Sequence, residues 1–220
     1  MERNREEMRL KTDGSRIFYL MGKSGSGKDT LYASLLQDEE LSLSPLVLYT
    51  TRPARSGETD GVTYFFVSED RLKELEQAGK VIELRQYHTV HGIWSYFTVD
   101  DGQVTASRNG AEGSAADLLA IGTLESYQKL RSYYGENRIL PIYIEVEDGL
   151  RLFRALARER AESRPRYEEM CRRFLADQED FSEQQLAAAQ ITRRFSNNGR
   201  PEECQRAVRD YILDVRQHTR

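Results

Sequence analysis

Residues Gly22-Lys23-Ser24-Gly25-Ser26-Gly27-Lys28-Asp29-Thr30 constrain the fold more than any other stretch of the chain. Their GxxxxGK spacing suits a loop whose successive backbone N–H groups wrap around phosphate oxygens, which small residues allow. A helix N-terminus then adds its positive end, and the lysine reaches the outer phosphates. The surroundings agree. Ile17 to Met21 (IFYLM) is an apolar run of strand type, and Asp29 to Gln37 places Leu31, Leu35 and Leu36 on one helical face. Residues 22–30 are therefore candidate phosphate ligands, with Lys28 as the candidate catalytic cation. The residue after the loop lysine is normally Ser or Thr, whose hydroxyl binds Mg²⁺. Here it is Asp29. A carboxylate is a hard oxygen ligand suited to Mg²⁺, and it is also favourable in a helix's first turn for reasons of dipole alone. Both roles stay open.

Beyond this loop, short apolar runs alternate with amphipathic stretches. Leu46 to Thr50, Tyr64 to Val67, Val81 to Gln86, Ile93 to Val99, Leu118 to Ile121, Ile139 to Val146 and Ile191 to Phe195 read as strands. Helices are expected after the caps Ser68 and Thr123, over 151–161 and 167–181, and from Pro201 to Gln217. This rhythm implies an α/β fold, a mostly parallel sheet flanked by helices. Residues 52–99 break the rhythm and read as a separate antiparallel lobe. Asp100 to Ala116 is small and polar, with no clear element.

Charge narrows the partners. The chain of 220 residues has net charge −4, without the basic excess of a general nucleic-acid binder. No apolar run approaches the roughly 18 residues that span a bilayer, and residues 1–16 have no apolar core resembling a secretory signal. No nucleic-acid or membrane partner is expected; oligomeric state is not readable. Cys171 and Cys204 lie far apart without a CxxC or His cluster, so they read as reduced, structural thiols of a cytoplasmic protein. Arg151 to Arg173 holds eight arginines, interleaved with Glu159, Glu162, Glu168 and Glu169. That pattern fits a salt-bridged helix surface or an anion-binding segment.

The second motif is Thr50-Thr51-Arg52-Pro53-Ala54-Arg55-Ser56-Gly57-Glu58-Thr59-Asp60-Gly61-Val62-Thr63-Tyr64-Phe65-Phe66. Two arginines three residues apart in a turn can converge on one phosphate, and Tyr64 can add a hydroxyl donor. Here the chain resembles the guanylate kinase family, whose acceptor-lobe signature TTRPxRxGExxGxxYxF stands nearly complete. The resemblance implies a P-loop kinase fold as a single domain over 1–220, with core segments 16–51, 115–157 and 182–220. It places a small strand-rich nucleoside monophosphate-binding lobe at 52–100 and a helical lid at 158–173. It implies the reaction ATP + GMP = ADP + GDP with Mg²⁺. On it, Arg52, Arg55 and Tyr64 hold the acceptor phosphate. Glu83 reads guanine, whose N1–H and N2–H₂ form an adjacent donor pair that a carboxylate accepts. Ser95 and Tyr96 serve neighbouring contacts. Arg158, Arg160 and Arg173 are the lid arginines inserted between the nucleotides, and Asn198 lies near adenine. His88 and His91 are read as non-catalytic.

The chain also departs from the family. Leu48 and Tyr49 stand where the family carries serines, and Leu119-Ala120-Ile121-Gly122 replaces an acidic strand end, which leaves Asp29 as the candidate Mg²⁺ ligand. The segment after Glu83 is remodelled into His91-Gly92-Ile93-Trp94-Ser95-Tyr96. Two alternatives share the scaffold: a kinase of another phosphorylated acceptor such as ribose 1,5-bisphosphate, and a non-catalytic guanylate kinase-like binding module.

Overall fold

A computed structural model describes residues 15–89, 92–106 and 116–218. In chain order its elements begin with β1 (Ile17–Met21), α1 (Lys28–Leu36), β2 (Ser44–Pro45), β3 (Tyr49–Thr50), β4 (Phe65–Phe66), α2 (Glu69–Gln77), β5 (Val81–Thr89) and β6 (Gly92–Val99). They continue with α3 (Gln103–Ala106), β7 (Leu118–Gly122), α4 (Leu124–Tyr134), β8 (Ile139–Glu145), α5 (Asp148–Ala161), α6 (Tyr167–Asp180), α7 (Glu183–Ala188), β9 (Arg194–Ser196) and α8 (Pro201–His218).

One sheet has the order β2-β7-β1-β8-β9, with β2–β7 and β8–β9 pairing in parallel. All five residues of β1 are buried, as a central strand with both faces covered requires. A second sheet has the order β4-β3-β6-β5. The chain divides into two compact units. One comprises Met1–Ile17, Ser44–Ala120 and Lys129–Ile139, and the other Phe18–Leu43, Ile121–Gln128 and Leu140–Arg220.

In the first unit, α2 starts where Ser68 accepts a hydrogen bond from the Arg71 N–H, as its cap position predicts. Its Leu72 and Leu75 form a core with Phe97 and Val99 of β6. Side chains alternate across a strand, so Tyr96 and Thr98 fall on the opposite face of β6. A register shift between Val81 and Glu83 sets Glu83 opposite Thr98. The expected antiparallel lobe is corrected in one respect, because β3 and β4 pair in parallel. After Thr50 the chain loops through residues 51–63 and returns in its original direction.

The run Leu46 to Thr50 is not a single strand. β2 ends at Pro45 and β3 begins at Tyr49. Val47 between them is buried without a ladder, because the Gln103 side chain accepts its N–H at 2.9 Å and donates to its carbonyl at 3.0 Å. Thus α3 was illegible as periodicity but fixes the linker through one amide. The short α7, capped by Ser182, was also missed, and β9 lies slightly later than Ile191 to Phe195. His91 and residues 107–115 lie outside the described residues.

Candidate active site

The phosphate cradle belongs to the second unit. Gly25 and Gly27 have φ of 80° and 83°, a left-handed conformation that side chains disfavour. Gly27 is also the N-cap of α1, with no side-chain cap hydrogen bond. The first turn of α1 therefore begins with backbone N–H groups that no capping side chain covers, as an anion site requires. Gly22 is needed for close approach, since a Cβ there would lie 2.7 Å from the Ile144 carbonyl oxygen. Asn197, buried at the end of β9, donates to the Ser26 carbonyl at 2.8 Å. Lys28 is half-buried, and its ammonium lies 3.6 Å from the exposed Asp29 carboxylate. Thr30 is exposed beside it.

Beside the cradle lies a buried charge cluster. Arg151 of α5 has no solvent exposure. Its Nε donates to the Ser24 carbonyl at 3.0 Å, and its other nitrogens reach Asp177 at 3.1 Å and Asp148. Asp177 also accepts the Ser24 N–H at 2.7 Å, so both backbone groups of Ser24 are held from outside the loop. Phe174 covers the guanidinium at 4.8 Å. Lys23 donates to Gln178 and lies 3.8 Å from Asp148. Arg154 donates to the Asn197 carbonyl at 3.1 Å. The arginine-rich segment thus serves two purposes: Arg151 and Arg154 brace the loop and its neighbours, while Arg158, Arg160 and Arg173 remain exposed. Arg173 lies 3.8 Å from Glu169. Sequence reading missed Asp148, Asp177 and Gln178. The signal available was Asp177 at the end of a helix whose Arg-rich neighbour needed a buried counter-charge.

Asn198 accepts the Glu147 N–H at 2.7 Å and donates to Ser196 at 3.1 Å, which ties the turn after β9 to the start of α5. Gly122 explains the missing acidic strand end. A Cβ at that position would lie 2.0 Å from the Tyr19 hydroxyl, so the space a carboxylate side chain would need is already filled.

The acceptor lobe belongs to the first unit. Arg52 is buried. Its Nε donates to the Tyr96 hydroxyl at 3.0 Å, while its two other nitrogens reach both Glu58 carboxylate oxygens at 2.9 and 2.8 Å. Its guanidinium carbon lies over the rings of Tyr64 and Phe66, 5.6 and 5.7 Å from their centroids. The paired guanidinium holds Glu58 well below the usual carboxylate range, at about 2. Arg55 is exposed, and its backbone N–H also donates to Glu58, at 2.7 Å. Arg52 and Arg55 line one open cavity of about 570 Å³ together with Thr51, Glu69 and Trp94. The Tyr64 and Tyr96 rings meet edge to face at 5.8 Å.

Glu83 carries a fully covered carboxylate. Arg85 donates to it at 3.0 and 3.3 Å, and Thr98 at 2.9 Å. Thr98 and Arg85 are partners that sequence reading did not single out; period-two alternation from Glu83 and Tyr96 points to both. Ser95 faces the other way. Its backbone pairs with Thr51, and its hydroxyl accepts from Gln86 at 3.3 Å. His88 is exposed. No group of three or more His, Cys, Asp or Glu among the described residues could hold a metal ion.

A glycine cradle at a strand-to-helix turn, on a parallel sheet flanked by helices, defines the P-loop class of α/β proteins. The family model for guanylate kinase matches residues 14–95. A guanylate kinase of Methylobacillus flagellatus is 36% identical over 121 residues, 54% of this chain and 54% of that protein. One of Alkalilimnicola ehrlichii is 46% identical over 68 residues, 30% and 32% of the two chains. The crystal structure of a guanylate kinase from Anaplasma phagocytophilum covers 94% of this chain and 87% of its own at a TM-score of 0.55 and 18% identity, a likeness of fold. Over residues 14–95 the chain is similar to the guanylate kinase family. It spans about half the length of the Methylobacillus relative or less for the others.

Proposed function

We propose that the chain transfers the γ-phosphoryl group of ATP to a nucleoside monophosphate, GMP, giving ADP and GDP. One observation carries this reading: the same chain has a cradle with an uncapped helix start at Gly27 and, in its other unit, a cavity bordered by Arg52 and Arg55. The first suits a polyphosphate tail and the second a phosphomonoester. The relatives' shared description as guanylate kinases favours GMP among the acceptors.

An acceptor phosphate is largely ionised at neutral pH, so no general base is required. One of its oxygens forms a bond to the γ-phosphorus as the bond to the β–γ bridging oxygen breaks, and ADP leaves with that electron pair. The protein positions the two groups and offsets charge. Lys28 meets the outer phosphates of the donor. Arg158, Arg160 and Arg173, exposed on α5 and α6, supply mobile positive charge, and Asn198 borders the adenine. Mg²⁺ would neutralise phosphate charge when bound. Asp29, exposed at the start of α1, and Thr30 would hold it through oxygen ligands, and their exposure fits a cation held mainly by phosphate and water. For guanine to be read, Glu83 has to share its carboxylate between Arg85, Thr98 and the base. Both cysteines are free thiols, which supports a cytoplasmic setting.

A coupled assay with ATP and Mg²⁺ across GMP, dGMP, AMP, UMP and ribose 1,5-bisphosphate tests the assignment. GMP is expected to give the highest kcat/KM. Turnover with the sugar bisphosphate alone would overturn it.

A further inference from the structure

The outer half of the cradle is fastened to α5 and α6 at successive residues. Lys23 donates to Gln178 and lies 3.8 Å from Asp148. Ser24 gives its N–H to Asp177 at 2.7 Å, and its carbonyl accepts from Arg151 at 3.0 Å. Gly25 packs so closely on α5 that a Cβ there would stand 2.9 Å from the Arg151 carbonyl oxygen. Arg151 and Asp177 close the ring by pairing with each other at 3.1 Å. A polyphosphate that orders the loop backbone therefore also orders the groups that hold Ser24 from both helices.

Helix geometry carries this anchoring along α5 and α6. Arg158 lies about two turns beyond Arg151 on the same face of α5, and Arg173 lies about one turn before Asp177 on the same face of α6. At about 1.5 Å of rise per residue they stand about 10 and 6 Å along the helices from their anchors. Arg160 falls about half a turn away, on the opposite face of α5. We infer that Arg151 and Asp177 are positioning residues that couple occupancy of the cradle to the α5–α6 pair, and that Arg158 and Arg173 are the arginines they place. The inference rests on the proposed reading of the cradle as the site of the donor's polyphosphate.

Hydrogen exchange of the full chain, with and without saturating ADP and Mg²⁺, tests the coupling, and thermal unfolding of each variant is the control. ADP should slow exchange of the amides from Cys171 to Ala176 several-fold in the parent. Asp177→Asn keeps an oxygen for the Ser24 N–H but removes the charge paired with Arg151, and Arg151→Met cuts the ring from the other side. Both variants should lose most of the ADP effect on α6. Protection retained in full by both, or absent from a parent that binds ADP, would overturn the coupling. In turnover, Asp177→Asn should lower kcat about tenfold or more and leave the GMP KM within about twofold. Combined with Arg158→Ala or Arg173→Ala, its effect should be less than multiplicative, whereas with Arg160→Ala it should multiply. A smaller folded fraction would multiply with all of them, and that result would overturn the positioning role. Exchange needs no turnover. ADP protection of α6 in a chain that does not phosphorylate GMP overturns the proposed reaction and leaves the coupling intact, while a parent that binds no ADP overturns both.

Discussion

Arg151 and Asp177 meet at 3.1 Å with the arginine fully buried, and each also holds one backbone group of Ser24 in the cradle. Asp177→Ala would leave a buried guanidinium with Asp148 as its remaining carboxylate. Removing one partner of a buried pair costs about 3–5 kcal/mol, and the lower end applies because Asp148 remains. Arg151→Met should cost less, since it exchanges the buried charge for apolar bulk. The two losses should be non-additive when unfolding midpoints are compared in denaturant. An Asp177→Ala chain as stable as the parent would show that the pair does not secure the loop.

Acid stability depends on Glu58. Its ordinary value of 4.5 is pulled down to about 2, first by the hydrogen bonds from Arg52. A carboxyl whose folded value lies below its unfolded one stabilises the protein fully above the unfolded value. That contribution fades as pH falls from about 4.5 toward 2. Thermal midpoints of the parent and of Glu58→Gln should therefore differ most above pH 5 and converge toward pH 2. A constant difference across that range would remove Glu58 ionisation from the account.

Asp29 stands where a hydroxyl residue is usual, with its side chain 83% exposed. Asp29→Ser should shift the Mg²⁺ concentration for half-maximal rate several-fold at fixed ATP, because a charged oxygen ligand is exchanged for a neutral one. An unchanged titration would leave Asp29 as a first-turn carboxylate and nothing more.

The two thiols should differ in reactivity. Burial pushes Cys204 up to about 11, while Cys171 is exposed on α6. Alkylation of the native protein at pH 8 should modify Cys171 alone, with Cys204 reacting only after unfolding. Equal labelling by mass spectrometry would contradict the packing of α8 at that residue.

Much of this molecule was legible because local chemistry and tertiary structure agree. The cradle's glycines announce themselves by spacing, Ser68 and Thr123 cap helices where their side chains suggest, and the apolar run over β8 is a buried strand. Elements held by single long-range contacts were not legible. Gln103 takes over the backbone of Val47 from 56 residues away, and no periodicity records it. The same holds at the site. Arg52 and Glu83 were readable as residue types in a motif, but their partners were not. Glu58 closes on Arg52 through the turn at 53–57, and Arg85 closes on Glu83 because two positions along a strand share a face. Arg151 reads in the sequence as one charge of a salt-bridged helix surface or of an anion-binding segment, whereas α5 buries it completely.

The central claim is the proposed transfer of a phosphoryl group from ATP to GMP by this one chain. Transfer of label from γ-³²P-ATP to GMP in the presence of Mg²⁺ tests it most directly. Label should appear on GDP in proportion to the ADP formed, and Lys28→Ala, folded by thermal unfolding, should show no transfer above the uncatalysed rate. Label released only as inorganic phosphate, or equal transfer by the Lys28→Ala chain, would contradict the claim.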